Sequence, residues 1–129
     1  MIPYTAYKVV HYLGIFLLLT GLSAALARAA AWRVSDVAPP EADPWGRRIV
    51  IAHGIALFMI LLGGFGMLAR LEITEGLGLP GWIWAKLGLW TILGGVVAIR
   101  RVPALAGPAL VVAPLLAALA GWVALYKPI

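Results

Sequence analysis

Three ionisable side chains, His11, His53 and Lys86, interrupt stretches that are otherwise apolar enough to cross a bilayer. A charged group at mid-depth costs roughly 3 kcal/mol on insertion scales, so a residue kept there marks a ligand, a proton path or a bond between helices. An imidazole can ligate iron through one nitrogen while the other is held by a hydrogen bond. A neutral lysine can do the same, and a protonated one can pair with an anion. Met67 and Arg70, one helical turn apart, add a thioether and a guanidinium to the set.

The elements that carry these residues follow from composition. With 64% hydrophobic and 12% charged residues in 129, and a mean hydropathy of +1.01, the chain does not describe a soluble domain. Four apolar runs stand out, at about 7–28, 49–69, 81–99 and 104–126, each near the roughly 20 residues that a helix needs to cross a bilayer core. They predict an all-α integral membrane protein: an antiparallel, up-down-up-down four-helix bundle forming a single transmembrane domain over residues 1–129. The first run reads as a retained helix, not a leader, because it ends at Arg28 without a small-residue cleavage pattern. Cysteine is absent, which rules out disulfides and thiolate chemistry. The net charge of +5 sits at helix ends, which implies contact with membrane lipid and no nucleic-acid partner.

Arg28, Arg33, Arg47 and Arg48 flank the first connection, and Arg100 and Arg101 occupy the third. By the positive-inside rule these ends face the cytoplasm and both termini face outward, in a bacterial inner membrane. Residues 35–44 read as a proline-rich connector whose Asp43-Pro44 pair opens helix 2, and residues 71–80 as a loop on the outer interface. Pro114 is expected to kink helix 4. Glycines and alanines, among them Gly14, Gly21, Gly63, Gly64, Gly66, Gly94 and Gly95, either let helices approach closely or clear room for a flat cofactor. Trp32 and Trp45 fall near the inner boundary and Trp82, Trp84 and Trp122 near the outer one, while Trp90 lies deeper and reads as packing.

Helical rise then decides which ionisable groups share a level. His11 lies roughly 6 Å and Lys86 roughly 7 Å below the outer boundary, whereas His53 lies roughly 6 Å from the inner one, about 15–18 Å from the plane of His11. One haem iron therefore cannot take both histidines. A haem at the outer level can use His11 as one axial ligand and Met67 or neutral Lys86 as the other, with Arg70 or protonated Lys86 on a propionate. His53, near Arg47 and Arg48, can serve a second haem or a quinol headgroup, or simply bond across helices. The plainer alternatives are a hydrated interfacial His11, a Lys86 that snorkels outward and a Met67 that fills space.

The segments Tyr7-Lys8-Val9-Val10-His11-Tyr12-Leu13-Gly14, Gly46-Arg47-Arg48-Ile49 and Gly81-Trp82-Ile83-Trp84-Ala85-Lys86-Leu87 resemble the small haem-associated membrane proteins of the HemJ protoporphyrinogen oxidase group and the related CopD and SirB-like proteins. The likeness covers helices 1 to 3. It implies binding of haem b (b-type haem), with His11 and Lys86 as the functional, catalytic pair, His11 as the metal ligand, and a membrane oxidoreductase related to porphyrinogen oxidation or quinone-linked electron transfer. The CopD-like side of the resemblance raises copper transport, against which stand the missing cysteines and only three methionines. The competing expectation is a cofactor-free accessory or structural subunit of a larger membrane complex or homo-oligomer, consistent with the lack of any extramembrane domain and the abundance of small residues.

Overall fold

A computed structural model of the chain describes residues 1–35, 43–72 and 78–129. The central parts of the two polar connections expected around 35–44 and 71–80 lie outside the described residues. The protein is all-α: α1 (Tyr4–Ser35), α2 (Pro44–Leu71), α3 (Gly81–Val96) continued by a 3₁₀ segment (Val97–Arg101), and α4 (Pro103–Tyr126). Four helical segments, with α3 and its 3₁₀ extension counted together, are long and apolar enough to cross a membrane.

α1 and α2 run past their apolar runs, most of all α1, whose 32 residues give about 48 Å at 1.5 Å per residue. Arg28 does not end it. The guanidinium reaches the Asp43 carboxylate at 2.7 Å and lies over the Trp32 ring, 5.2 Å from its centroid, so the charge is accommodated at the helix surface while the backbone continues.

The start of α2 is built as its Asp-Pro pair leads one to expect. The Asp43 side chain accepts from the Gly46 N–H at 2.9 Å, and Pro44 occupies the first turn, where its missing N–H costs nothing. A Cβ at position 46 would run into the Asp43 carboxylate, so a larger residue there has to displace the capping side chain. The last turns of α3 tighten to 3₁₀ geometry instead of continuing as an α-helix to residue 99. Gly94 and Gly95 are poor helix formers, and Val102, preceding Pro103, is pushed out of the helical region to φ −121°, ψ 79°. α4 remains one continuous helix through Pro108 and Pro114.

The packing is uneven. α1 lies along α2 and against α4, α3 packs on α4, and α2 and α3 meet only sparsely. Going round the bundle, the order is α2, α1, α4, α3, with a seam between the last and the first. The core follows α1: Leu18, Leu22 and Leu26 are buried against Ala56, Leu93, Ala106, Ala109 and Ala113, so long side chains of one helix fill spaces left by small residues of its neighbours. Large apolar residues such as Phe16, Phe58, Trp84 and Val111 are exposed, which is the surface expected to face lipid.

Asp43 serves both as helix cap and as partner of Arg28, and its hydrogen bond with the Gly46 N–H, followed by the Arg28 contact, holds its carboxyl below the usual carboxylate range. A group depressed in this way stabilises the fold above its unfolded pKa, so its contribution is complete at neutral pH and fades as pH falls below about 4. Asp43→Ala is expected to lower the thermal midpoint in detergent at pH 7, with the gap from the parent narrowing at pH 3; an equal gap at both pH values would contradict this role.

Candidate functional site

At the end of the bundle that carries both termini, the α2–α3 seam opens into a half-open cleft of about 270 Å³. Its walls come from all four helices: His11 from α1, Ile60, Gly64 and Met67 from α2, Trp82, Lys86 and Trp90 from α3, and Ala124 from α4, with Lys127 just beyond it. The volume lies near the lower end of the roughly 300–1,000 Å³ typical of cofactor and small-molecule sites. Apolar side chains make most of the lining, and the polar groups converge on it from three directions.

His11 is the most firmly placed of these groups. It is 7% exposed, and its Nδ1 lies 2.7 Å from the Ile60 carbonyl oxygen. A carbonyl can only accept, so the proton is on Nδ1 and the lone pair is on Nε2. This is the arrangement by which a protein fixes the tautomer and ring direction of a metal-ligating histidine.

The position of His11 depends on two glycines with different duties. A Cβ at Gly63 would lie 2.7 Å from the His11 Cβ, the His11 nitrogen and the Tyr7 carbonyl, so α2 touches the α1 backbone here. At Gly64 the added carbon would meet only the edge of the imidazole, 3.5 Å from Cε1 and 3.6 Å from Nδ1, which is ordinary contact. Gly14 against Ile60 and Gly66 under the Tyr7 ring continue the close approach. The α1–α2 glycines thus pack helices, whereas Gly64 borders the cleft.

Lys86 and Met67 line the same cleft as His11, so the outer level expected from helical rise gathers these three. Lys86 is half-buried with its ammonium 5.8 Å from the Trp82 ring centroid, and no carboxylate pairs with it among the described residues. Arg70 is placed elsewhere. Its Nε and Nη2 donate to the Ile2 carbonyl at 3.0 and 2.6 Å and its Nη1 reaches the Met1 sulfur, so it ties down the chain ahead of α1.

His53 also stands apart, ten residues down α2 from the level of Gly63, or about 15 Å. It is 2% exposed, its Nε2 faces the Gly94 carbonyl of α3 at 3.3 Å, and its Nδ1 has no partner. It lines neither the cleft nor the small inner recess beside Arg28 and Arg100, and Arg48 is engaged with Trp45. One turn above it, the Trp90 indole N–H donates to the Leu57 carbonyl at 3.1 Å. Trp90 therefore fastens α2 to α3 and forms part of the cleft wall, where its sequence position indicated packing alone. Lys127, which charge counting assigned to a helix end, caps α4 there and lines the rim of the cleft as an exposed second cation.

No group of three or more metal-ligating side chains occurs among the described residues. A haem-type site needs fewer protein ligands than such a cluster, one or two axial groups being sufficient. No family model, no curated protein and no solved structure matches the chain.

Gly63 and Gly64 are adjacent and equally glycine, yet they meet different surroundings. Gly63→Ala is expected to destabilise the bundle by about 1–3 kcal/mol, the usual range for overpacking, and Gly64→Ala by clearly less. Unfolding titrations of the two variants in mixed micelles check the order; equal losses would contradict the assigned α1–α2 contact.

Proposed function

We propose that this membrane protein binds one b-type haem in the outer cleft, with His11 as an axial ligand, and serves a redox role there. The observation that carries the reading is the buried His11 imidazole, held by its Nδ1–H on the Ile60 carbonyl at the wall of a cleft that also contains Met67 and Lys86. These residues fit the group. The Nε2 lone pair is left for iron, Gly64 leaves the imidazole edge uncrowded, and the apolar lining with lysines at its rim suits a flat molecule carrying acid groups.

Haem, when bound, supplies one-electron chemistry at its iron. The protein's own contribution is positional and electrostatic. The Ile60 carbonyl keeps the His11 proton on Nδ1, and the packing of α1 on Gly63 prevents the ring from turning away. Met67 or Lys86 stands as a second ligand; alternatively, Lys86 keeps its proton and balances acid charge or passes a proton at Nζ. Ile83, Leu87 and Trp90 limit water in the lower cleft. The resemblance of the His11 and Lys86 segments to the HemJ group supports a reaction related to porphyrinogen oxidation, and the opening of the cleft along the α2–α3 seam supports a lipophilic reactant such as a quinone.

A second reading is favoured by one observation, the sparse contact of α2 with α3. In an accessory subunit this seam receives a helix of a larger membrane protein. It predicts a colourless chain that co-purifies with a partner, against a coloured chain that stands alone.

The reduced-minus-oxidised spectrum of the purified protein, produced with adequate haem, decides between them. A b-type α-band is expected; His11→Ala should abolish or shift it, and His53→Ala should leave it in place while loosening the α2–α3 contact. Absence of the band in the parent protein refutes the haem assignment.

The proposed orientation places the cleft toward the outer face, on the strength of the arginines gathered at the other end. Because the chain lacks cysteine, single cysteines report it directly. A membrane-impermeant maleimide added to right-side-out vesicles should label Gly78→Cys and spare Ser35→Cys until the vesicles are lysed; the reverse pattern would invert the topology.

A further inference from the structure

The cleft ends at a definite level. On α1 its deepest wall residue is His11, on α2 Ile60 and on α3 Trp90, and among the described residues no side chain farther from the termini on these helices borders it. At 1.5 Å per residue its wall runs about 10 Å along α1, from Tyr4 to His11, and about 12 Å along α3, from Trp82 to Trp90. His11 therefore stands at the bottom of the space, not midway, and most of the room lies on the side of the termini.

Trp90 closes that bottom. Its indole N–H donates to the Leu57 carbonyl at 3.1 Å, while the His11 Nδ1–H donates to the Ile60 carbonyl at 2.7 Å. The two acceptors are three residues apart on α2, so indole and imidazole approach the same face of that helix, the indole about 4.5 Å farther from the termini. Beyond the indole the seam is filled: the Leu57 side chain would lie 3.3 Å from a Cβ at Gly94, and the His53 Nε2 lies 3.3 Å from the Gly94 carbonyl. The ring cannot swing aside without giving up its hydrogen bond and leaving a buried N–H to find another.

A ligand held by His11 thus meets Trp90 on one edge and open space on the other. Its acid groups belong at the open end, because an unpaired carboxylate is costly to bury among apolar side chains. We infer that Trp90 is the specificity-determining floor of the cleft, receiving the apolar edge of the haem and excluding a macrocycle that carries a bulky group there. The inference rests on the haem reading above and adds a limit on the size of the ligand. Trp90 sets how deep the macrocycle sits and leaves iron ligation to His11.

The test compares b-type haem with haem O, in which a hydroxyethylfarnesyl chain replaces one vinyl group while the iron and both acid groups are unchanged. Apoprotein in nanodiscs is titrated with each and followed by absorbance. The parent protein should bind b-type haem about tenfold or more tightly, the lower end of what a hydrophobic pocket gives for a change of one methylene. Trp90→Leu, which lowers the floor, should bring that ratio to near unity. Trp90→Phe, which loses the bond to Leu57 but keeps a ring, should retain most of the preference. An unchanged ratio in Trp90→Leu overturns the inference, since a Trp90 that only fastened the seam would weaken both haems alike. Equal affinity for the two haems in the parent, with a normal reduced α-band for both, overturns the floor and leaves haem binding intact. No band with either haem overturns the haem reading itself, and this inference with it.

Discussion

The contact of α2 with the backbone of α1 at His11 is the constraint on which the cleft-bearing half of the molecule depends. In lipid there is no hydrophobic gain from bringing two apolar helices together, so their association has to come from close packing and from polar groups satisfied between them. Gly63 supplies the first by letting α2 reach the Tyr7 carbonyl and the His11 backbone, and His11 supplies the second by donating to Ile60. The two effects reinforce each other. Without the glycine the imidazole would be held too far from α2 to find a carbonyl, and without the bond a buried imidazole would be a cost that packing alone has to offset. His11 is thus held by its backbone on one side and by its ring on the other.

The same economy explains why the cleft lies where it does. Small residues bring α1 onto α2, and alanines of α4 close on the leucines of α1, so three helices form a compact unit. α3 joins this unit chiefly through α4. Its contacts with α2 are concentrated in the half away from the termini, where Trp90 donates to Leu57, His53 faces Gly94, and Gly94 accommodates the Leu57 side chain. Above Trp90 the two helices separate and bulky side chains line the space. The seam is thus fastened at one end and open at the other. His53, whose position in the sequence invites a ligand role, forms part of the fastening.

How much of this was legible in the sequence depends on which coordinate of a helix is asked about. Position along the membrane normal was readable, because rise per residue and alternating direction put His11, Met67 and Lys86 at one level and His53 at another. Rotation about the helix axis was not. A one-residue error turns a face by about 100°, and in these helices apolar residues face both lipid and protein, so no polar stripe marks the buried side. Arg70 and Lys127 show the consequence: both were near the outer boundary by count, but Arg70 turns to the chain before α1 and Lys127 reaches the cleft through a left-handed turn. The indole of Trp90 could not be assigned a partner for the same reason. The length of α1 was underestimated because hydropathy stops at Arg28, whereas a guanidinium paired with Asp43 and laid over Trp32 lets the backbone continue.

The two ends of the bundle also treat charge in opposite ways, and the contrast bears on function. At the end away from the termini Asp43 caps α2 and pairs with Arg28, Arg48 rests on Trp45, and Arg33 donates to the Ala104 carbonyl, so several cations there have partners within the protein. That end is stitched. At the end that carries both termini, the Lys86 and Lys127 ammonium groups lie 5.8 and 5.2 Å from the Trp82 ring centroid, Lys86 half-buried and Lys127 exposed. Lys127 is open to solvent, whereas half-buried Lys86 keeps its charge beside the apolar lining, so of the two only Lys86 bears on what the cleft can hold.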